Sequence, residues 1–424
     1  MSPFYQEEAP FSTPQGDREG QMMYHCAVKT WNSPAGRLQL KRFPFEGEQI
    51  HQAWDAADEW ILNRLHSHSR SDRTVITGEA FGVLATALGS RDIIAVNDSF
   101  LSLAALDVNR NLNPQMASGP LQKITGETAA EGRKRLSPGE LPGPRPTASA
   151  IIIRLPRSLE VLEKYLRMSL KYADPDTEIW LGGMDKRWNK GCLKIADRFM
   201  TESERFPFER HARWIKFTKP SANPVVADGT NKEALKKNRT WQTPAGIKIK
   251  PEPGVFSSRS LDPGTAAFLE AFPESETVSA RIIADMGCGS GILGLTAARL
   301  NPEAEIILSD ESYSAVISAA ANAGLNGLGK NLKCITGNGL EGIEDESVDL
   351  VLCNPPFHYQ NIQTREPAEF MFNEARRVLK PGGTLQVVGN NHLGYHKLLK
   401  KHFPDAREVL RDSRFTVMRS LKNS

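Results

Sequence analysis

The chain runs through the same order of elements twice, and that repetition constrains its fold more than any other feature. In the first half, short β-type runs at Thr74–Thr77, Ile93–Val96, Ile151–Leu155, Ile179–Leu181 and Trp214–Thr218 alternate with helical stretches. The second half repeats this with Arg281–Ala284, Glu305–Asp310, Leu332–Thr336, Leu350–Cys353, Thr384–Gly389 and a final run around Arg414–Leu421. Such alternation argues for a parallel α/β sheet in each half. Individual letters agree as well. Ser99, Phe100, Asn109, Leu112 and Asn113 match Ser312, Tyr313, Asn322, Leu325 and Asn326 at a constant offset of 213. Gly78 and Gly82 match Gly287 and Gly291, Leu155-Pro156 falls opposite Pro355-Pro356, and Pro175 and Gly183 fall opposite Pro381 and Gly389. The common order suggests two copies of one fold. The competing reading, that any two α/β domains share such texture, stays open on these letters alone.

The rest of the chain sets the boundaries. Residues 1–36 carry Pro, Gly and polar residues without a sustained period, which suggests a flexible extension. The first domain then occupies 37–220, a Lys-rich linker 221–240, and the second domain 241–424. Inside the first, residues 114–149 hold six Pro and five Gly and read as a long loop or insertion. The 424 residues are 40% hydrophobic and 24% charged, ordinary for a soluble globular protein. A formal net charge of +3 permits an anionic partner without requiring one. Five scattered cysteines with no C-x-x-C pair give neither a zinc knuckle nor a disulfide framework. No metal is expected, and a reducing cytosol, hence a cytoplasmic location, fits best. Neither a secretory leader nor a run of roughly 20 apolar residues suggests a membrane.

The copies differ where chemistry would sit. In the second, Asp285-Met-Gly-Cys-Gly-Ser-Gly291 follows a strand and opens a helix, so Gly287, Gly289 and Gly291 let backbone turn tightly against a ligand. This spacing, with an acid just ahead, differs from the G-x-G-x-x-G of dinucleotide readers. Nineteen residues after Gly291, Asp310 ends the next strand, where a carboxylate could accept both ribose hydroxyls; Asn338 follows the third strand, where an amide could meet an adenine edge. Together they suit S-adenosylmethionine. Taken alone, Asp310 reads equally as a helix N-cap. Cys288 and Cys353 read as small packing residues.

Asn354-Pro355-Pro356-Phe357 follows the fourth strand, at the end of the sheet where open α/β folds bind ligands. An exocyclic amine on a base is a poor nucleophile because its lone pair is delocalised into the ring. An Asn carbonyl and a backbone carbonyl can accept its two N–H bonds and favour the charge that grows as it reacts. Prolines stiffen the loop, and Phe357 offers a face for stacking. A structural Pro-Pro turn is the bland alternative. A base gripped this way must leave its stack, which is cheap in single-stranded or looped RNA. The first copy has Gly78-Glu-Ala-Phe-Gly82 and Arg154-Leu-Pro-Arg157 at the two places, and is expected to keep the shape without the catalysis.

On these residues the chain resembles the RlmG/RsmC family of ribosomal RNA guanine-N2 methyltransferases. The resemblance rests on Gly254-Val-Phe-Ser257, Leu261-Asp-x-Gly264, the glycine loop, Asp310 and Asn354-Pro-Pro-Phe-His358. It implies two tandem Rossmann-like class I methyltransferase domains, the N-terminal one degenerate. The glycine loop with Asp285, Asp310 and Asn338 would hold the cofactor, and the Asn354–Phe357 tetrad the guanine. Leu38-x-Leu-x-Arg-Phe-Pro44, Ala53-Trp-x-Ala-Ala-Asp-Glu59, Ala80-Phe-Gly82 and Asn97-Asp-Ser99 are similar to the large-subunit branch, which implies 23S ribosomal RNA as partner. The alternatives are the small-subunit branch acting on 16S RNA and a non-catalytic assembly factor. Adenine N6 or a protein glutamine would sit better with N-P-P-Y or D-P-P-Y than with Phe357 and His358. Residues 1–36 and the Pro/Gly-rich insertion have no clear counterpart in the family. In the first domain Arg154, Arg157, Lys186, Arg187, Lys190 and Arg213, with Trp188 among them, read equally as an RNA-facing surface or an ordinary solvated face.

Overall fold

A computed structural model describes residues 27–44, 52–65, 73–125, 147–218, 240–250, 252–356 and 366–423. They fall into two compact units, 27–218 and 240–423. Most of the N-terminal extension, residues 126–146 of the insertion, almost all of the linker, and Phe357 and His358 lie outside the described residues.

The first unit runs β1 (Lys29–Ser33), β2 (Gly36–Leu40), α1 (Ala56–Leu65), β3 (Thr74–Thr77), α2 (Val83–Ala87), β4 (Ile93–Val96), α3 (Phe100–Asn111), β5 (Leu121–Ile124), β6 (Ala150–Arg154), α4 (Leu159–Ser169), β7 (Glu178–Met184), α5 (Lys190–Ala196), β8 (Thr201–Arg205) and β9 (Ala212–Thr218). The second runs β10 (Trp241–Gln242), β11 (Lys248–Ile249), α6 (Pro263–Glu270), α7 (Glu274–Ser279), β12 (Ile282–Met286), α8 (Ile292–Leu300), β13 (Glu305–Asp310), α9 (Tyr313–Asn326), β14 (Leu332–Thr336), β15 (Val348–Cys353), α10 (Glu366–Val378), β16 (Leu379–Asn390), α11 (Tyr395–His402), β17 (Arg407–Arg411) and β18 (Phe415–Leu421).

Both units have the same seven-stranded sheet. One has the order β5-β4-β3-β6-β7-β9-β8, the other β14-β13-β12-β15-β16-β18-β17. In each, the first five strands in this order run parallel, the sixth, β9 or β18, runs against them, and the edge strand, β8 or β17, pairs antiparallel with that sixth strand. The central strands are continuous apolar runs because the parallel sheet is covered on both faces: Val75, Ile151, Ile153, Ile283, Leu350 and Leu352 are wholly buried. Strand order reverses between β12 and β15, and between β3 and β6, which opens a crevice at their carboxyl ends. The two-copy reading is borne out, and register makes the match residue by residue. Thr77 faces Ile153 and Met286 faces Cys353, so Arg154 of the first copy stands where Asn354 stands in the second.

The matched asparagines explain themselves in the same way. Asn322 Oδ1 accepts the Lys250 amide at 2.9 Å, its Nδ2 donates to the Ser290 carbonyl at 3.0 Å, and Asn326 brackets Lys248 through N–H and carbonyl. In the first copy Asn109 does this for Lys41 and Phe81, and Asn113 for Gln39. One helix thus latches both the preceding hairpin or extended segment and the glycine loop.

Three expectations change. Residues 29–36 do not belong to a flexible extension: they form most of the β1–β2 hairpin, held because Trp31 is buried and stacks on Trp54 with ring centroids 5.2 Å apart. The insertion is not loop throughout, since Leu121–Ile124 pairs with β4 as an edge strand. Its sequence hides this because an edge strand with one side uncovered needs no apolar run. Arg154 is not on a basic surface. It turns inward and pairs with Asp55 at 2.6 Å and Asp58 at 3.0 Å.

The first copy's glycine loop is filled by its own side chains. The Glu79 carboxylate accepts the amides of Leu84 at 2.6 Å and Ala85 at 3.2 Å, at the start of α2. Asn97 donates to the Glu79 carbonyl at 2.6 Å. The Tyr165 ring packs so closely on Gly78 that a Cβ there would lie 2.8 Å from it. Burial pushes the Glu79 carboxyl up to about 7, against the two amide hydrogen bonds and the Arg154 charge.

Two predictions follow from the latches and the filled loop. Asn322→Ala strands the Lys250 amide and the Ser290 carbonyl and is expected to cost about 1–3 kcal/mol, with Asn109→Ala similar in the other unit; urea unfolding measures both. For Glu79 the folded acid holds its proton to higher pH than the unfolded acid, whose pKa is ordinary. Its stabilising contribution is therefore complete below about 4.5 and is lost as pH rises to about 7. The thermal midpoint of Glu79→Gln should gain on the parent across that window and level off above it; a pH-independent difference would contradict the assignment.

Candidate functional site

The crevice of the second sheet collects residues from the carboxyl ends of four neighbouring strands. After β12 the chain turns through Gly287, Gly289 and Gly291 at φ of +77°, +54° and +86°, the left-handed region in which a side chain is strained. Gly287 and Cys288 both donate to the Ser309 carbonyl, at 2.8 and 2.9 Å, which folds the loop onto the end of β13. There, Asp310 Oδ2 accepts the Gly289 amide and Oδ1 the Ser312 amide, each at 2.9 Å. One carboxylate thereby fixes the loop and starts α9. A Cβ on Gly291 would meet Ala319 of α9 at 3.0 Å, so the glycine also permits the close helix contact.

Asp285 is buried beneath this loop, and its Oδ2 accepts the Gly294 amide in the first turn of α8 at 2.8 Å. Burial, with the nearby Asp310 charge, pushes its carboxyl up to about 7 despite that hydrogen bond. Asn338, also buried, follows β14, and the neighbouring Gly339 carbonyl accepts the Ser309 hydroxyl. Burial raises the Cys288 and Cys353 thiols well above their ordinary range, so neither is a thiolate nucleophile at neutral pH. No group of three or more His, Cys, Asp or Glu able to hold a metal occurs among the described residues.

Asn354 leaves β15 beside this loop. Its Nδ2 donates to Thr265 Oγ1 at 3.1 Å, while its Oδ1 is buried and has no hydrogen-bond partner among the described residues. Pro355 is buried and Pro356 exposed, and the Pro356 carbonyl accepts the Tyr395 hydroxyl at 3.4 Å. Tyr395 in turn packs on Gly389, where a Cβ would lie 2.6 Å from its ring. Thr265 owes its place to Leu261-Asp-Pro-Gly264. Asp262 caps α6 by accepting the Thr265 amide at 3.0 Å, and Pro263 starts the helix.

The crevice therefore brings together Asp285, the three glycines, Asp310, Asn338, Asn354, Pro355 and Pro356; Phe357 lies outside the described residues. Sequence reasoning missed Thr265, Gly294, Tyr395 and Phe256, which is 53% exposed with its carbonyl against Gly289. The cap signature at Asp262 could have flagged Thr265. Nothing in the letters joins it to Asn354, 89 residues away.

The glycine cradle, the carboxylate beside it and the buried amide fit S-adenosylmethionine: a left-handed loop leaves room for a ligand against backbone, and among the described residues no charged side chain fills it as Glu79 does in the first copy. The comparisons agree. The methyltransferase small domain matches residues 246–419 and the RLMG N-terminal domain residues 28–222. The ribosomal RNA large subunit methyltransferase G of Erwinia tasmaniensis is 34% identical over 91% of this chain and 97% of its own. That of Streptomyces coelicolor is 33% identical over 92% and 99%. Among solved structures, the T. thermophilus 16S rRNA N2 G1207 methyltransferase RsmC, in complex with AdoMet and guanosine, superposes with a TM-score of 0.71. It covers 94% of this chain and 99% of its own at 19% identity, a likeness of fold. With the tandem sheets and the matched domains in view, the chain belongs to the ribosomal RNA large subunit methyltransferase G family.

Proposed function

We propose that this protein uses S-adenosylmethionine to methylate the exocyclic N2 of a guanine in 23S ribosomal RNA, in the cytoplasm. The observation that carries this reading is the Asn354 amide. Its N–H side is occupied by Thr265 and its buried oxygen has no partner among the described residues, so it presents one acceptor to whatever enters the crevice. An unpaired buried acceptor costs stability, and a ligand N–H repays it.

In this reading Gly287, Gly289 and Gly291 would hold the cofactor against backbone, Asp310 would take its ribose and Asn338 its adenine, while Asp285 supports the loop from below through Gly294. The cofactor supplies a methyl group already activated on a sulfonium. Asn354 Oδ1 and a loop carbonyl would accept the two N2–H bonds and favour the charge that grows on the nitrogen as it takes the methyl, the methyl–sulfur bond breaking to leave a neutral thioether. One N2 proton is then released to water. Tyr395 and the two prolines keep the loop from yielding, and Phe357 would stack on the base. The names of the large-subunit relatives and the first-half motifs favour 23S over 16S RNA.

Mass-spectrometric mapping of ribosomal RNA nucleosides from cells with and without the protein tests the assignment. Loss of one N2-methylguanosine from large-subunit RNA is expected; loss from small-subunit RNA would move the assignment to 16S, and no change would favour an assembly factor. Asn354→Ala should lower kcat by about 10²–10³-fold, the cost of a lost transition-state acceptor, with cofactor affinity within a few-fold. Thr265→Val removes the partner that orients the amide. A kcat loss of roughly tenfold is expected, about one lost hydrogen bond, with KM little changed and Thr265→Ser restoring most of the rate. Equal rates for the Val and Ser variants would show that Thr265 only packs.

A further inference from the structure

The first copy has Arg154-Leu-Pro-Arg157 at the place where the second has Asn354-Pro-Pro-Phe357, and the structure separates the two arginines. Arg154 is spent on Asp55 and Asp58 inside the unit. Arg157 is exposed at the same carboxyl edge of the sheet. Arg187 joins it from the turn after β7, half-buried, with no carboxylate at ion-pair distance among the described residues. Burial, then the charges of Arg157 and Arg154, lower its pKa to about 10, and Asp55, which opposes this, is already paired with Arg154. A guanidinium that is partly desolvated, crowded by like charge and lacking a carboxylate is destabilised until an anion arrives.

Aromatic rings stand beside these cations. β9 runs antiparallel to β7, so Arg213 lies opposite Gly183 at this same edge. The Arg213 guanidinium lies 3.7 Å from the centroid of the Phe208 ring, which is 50% exposed, and 5.8 Å from that of Trp188. The Trp188 indole N–H donates to the Arg213 carbonyl at 3.2 Å, which ties the turn after β7 to β9. Lys186 and Lys190 are exposed on either side of the turn. Asp185, at its start, is exposed too and leaves the positive charge in excess. Arginines for phosphates next to a half-open aromatic for a base are what a single strand of RNA asks of a protein.

We propose that the carboxyl edge of the first sheet is a binding surface for the phosphodiester backbone of single-stranded or looped RNA. Arg157 and Arg187 take phosphates, and Phe208, backed by Arg213, takes a base. The degenerate copy has kept the position of its substrate loop and exchanged base recognition for backbone recognition. This rests on RNA being the substrate, and its test reads binding separately from methyl transfer.

The full chain is titrated against deproteinised large-subunit RNA from cells lacking this protein, by filter binding over a salt series. Each phosphate contact contributes about 0.7–0.9 to the slope of log K against log salt. Arg157→Ala/Arg187→Ala should flatten that slope by about 1–2 and weaken binding at low salt by roughly tenfold or more. The charge-matched control Arg37→Ala/Lys333→Ala, both exposed and on β2 and β14, neither a strand of the first sheet, should leave slope and affinity unchanged. Phe208→Ala should weaken binding about fivefold or more at constant slope, as loss of one stacked base would. The thermal unfolding transition reports that each variant is folded. A slope for Arg157→Ala/Arg187→Ala equal to that of the parent overturns the proposal. So does an equal loss in the control, which would show net charge alone at work. Intact salt-dependent binding without any methyl transfer would instead sink the enzymatic reading and leave this surface standing.

Discussion

The crevice of the second unit depends on one carboxylate. Asp310 takes an amide from the glycine loop with one oxygen and an amide from the next helix with the other. An ionised carboxylate only accepts hydrogen bonds, so the Gly289 N–H must turn towards it and the loop opens in the left-handed form its glycines allow. The first copy has Asn97 at this position. Its Oδ1 still accepts the Ser99 amide, but its Nδ2 donates to the Glu79 carbonyl. Exchanging a carboxylate for an amide reverses the polarity of the contact: the loop offers a carbonyl instead of an N–H. Glu79 then folds onto the helix amides, and Tyr165 closes over Gly78. Degeneration of the first copy is thus more than a loss of glycines. It is a self-consistent alternative in which Glu79, from within the loop, takes the helix amides that Asp285 serves from below through Gly294 in the second copy.

The two-fold architecture was legible because it is written in letters with strict backbone jobs. Gly78 and Gly287 both sit at positive φ, as do Gly82 and Gly291. Asn109, Asn113 and Asn326 each bracket an extended segment through both faces of an amide, and Asn322 ties one to the glycine loop, which no other side chain except glutamine, longer by a methylene, can do. The strands that escaped notice are those without such jobs. Thr201–Arg205 is exposed along its whole length, and Leu121–Ile124 is covered on part of its surface only, so neither carries an apolar signature. The site was legible to the same degree. Its backbone-fixing residues stand out in the sequence, and the side chains that tune them do not. Thr265 and Tyr395 reach Asn354 and Pro356 from elements far away in the chain.

Charge was the least legible property. Six basic residues of the first unit look alike in sequence, yet Arg154 is consumed by Asp55 and Asp58 while Arg187 has no carboxylate at ion-pair distance among the described residues. The difference comes from α1, whose Asp58 points into the unit, and not from anything near Arg154 in the chain. A basic count therefore overstates a binding surface wherever a buried acid lies within reach, and only the pairing shows which cations remain for a partner.

Asn354 and Arg154 occupy one register position and illustrate two outcomes for a polar group placed at the mouth of an α/β sheet. Arg154 is neutralised from within, and that edge of the crevice becomes part of the core. Asn354 is satisfied on its donor side alone. Had Thr265 been an apolar residue, the amide could rotate and bury its oxygen against another donor, losing the acceptor it presents. The hydroxyl at 3.1 Å removes that freedom by taking the N–H. The oxygen, without a partner among the described residues, is thus held where it is by a bond on the far side of the same group, and Pro355 and Pro356, the second tied by Tyr395, stiffen the backbone that follows it.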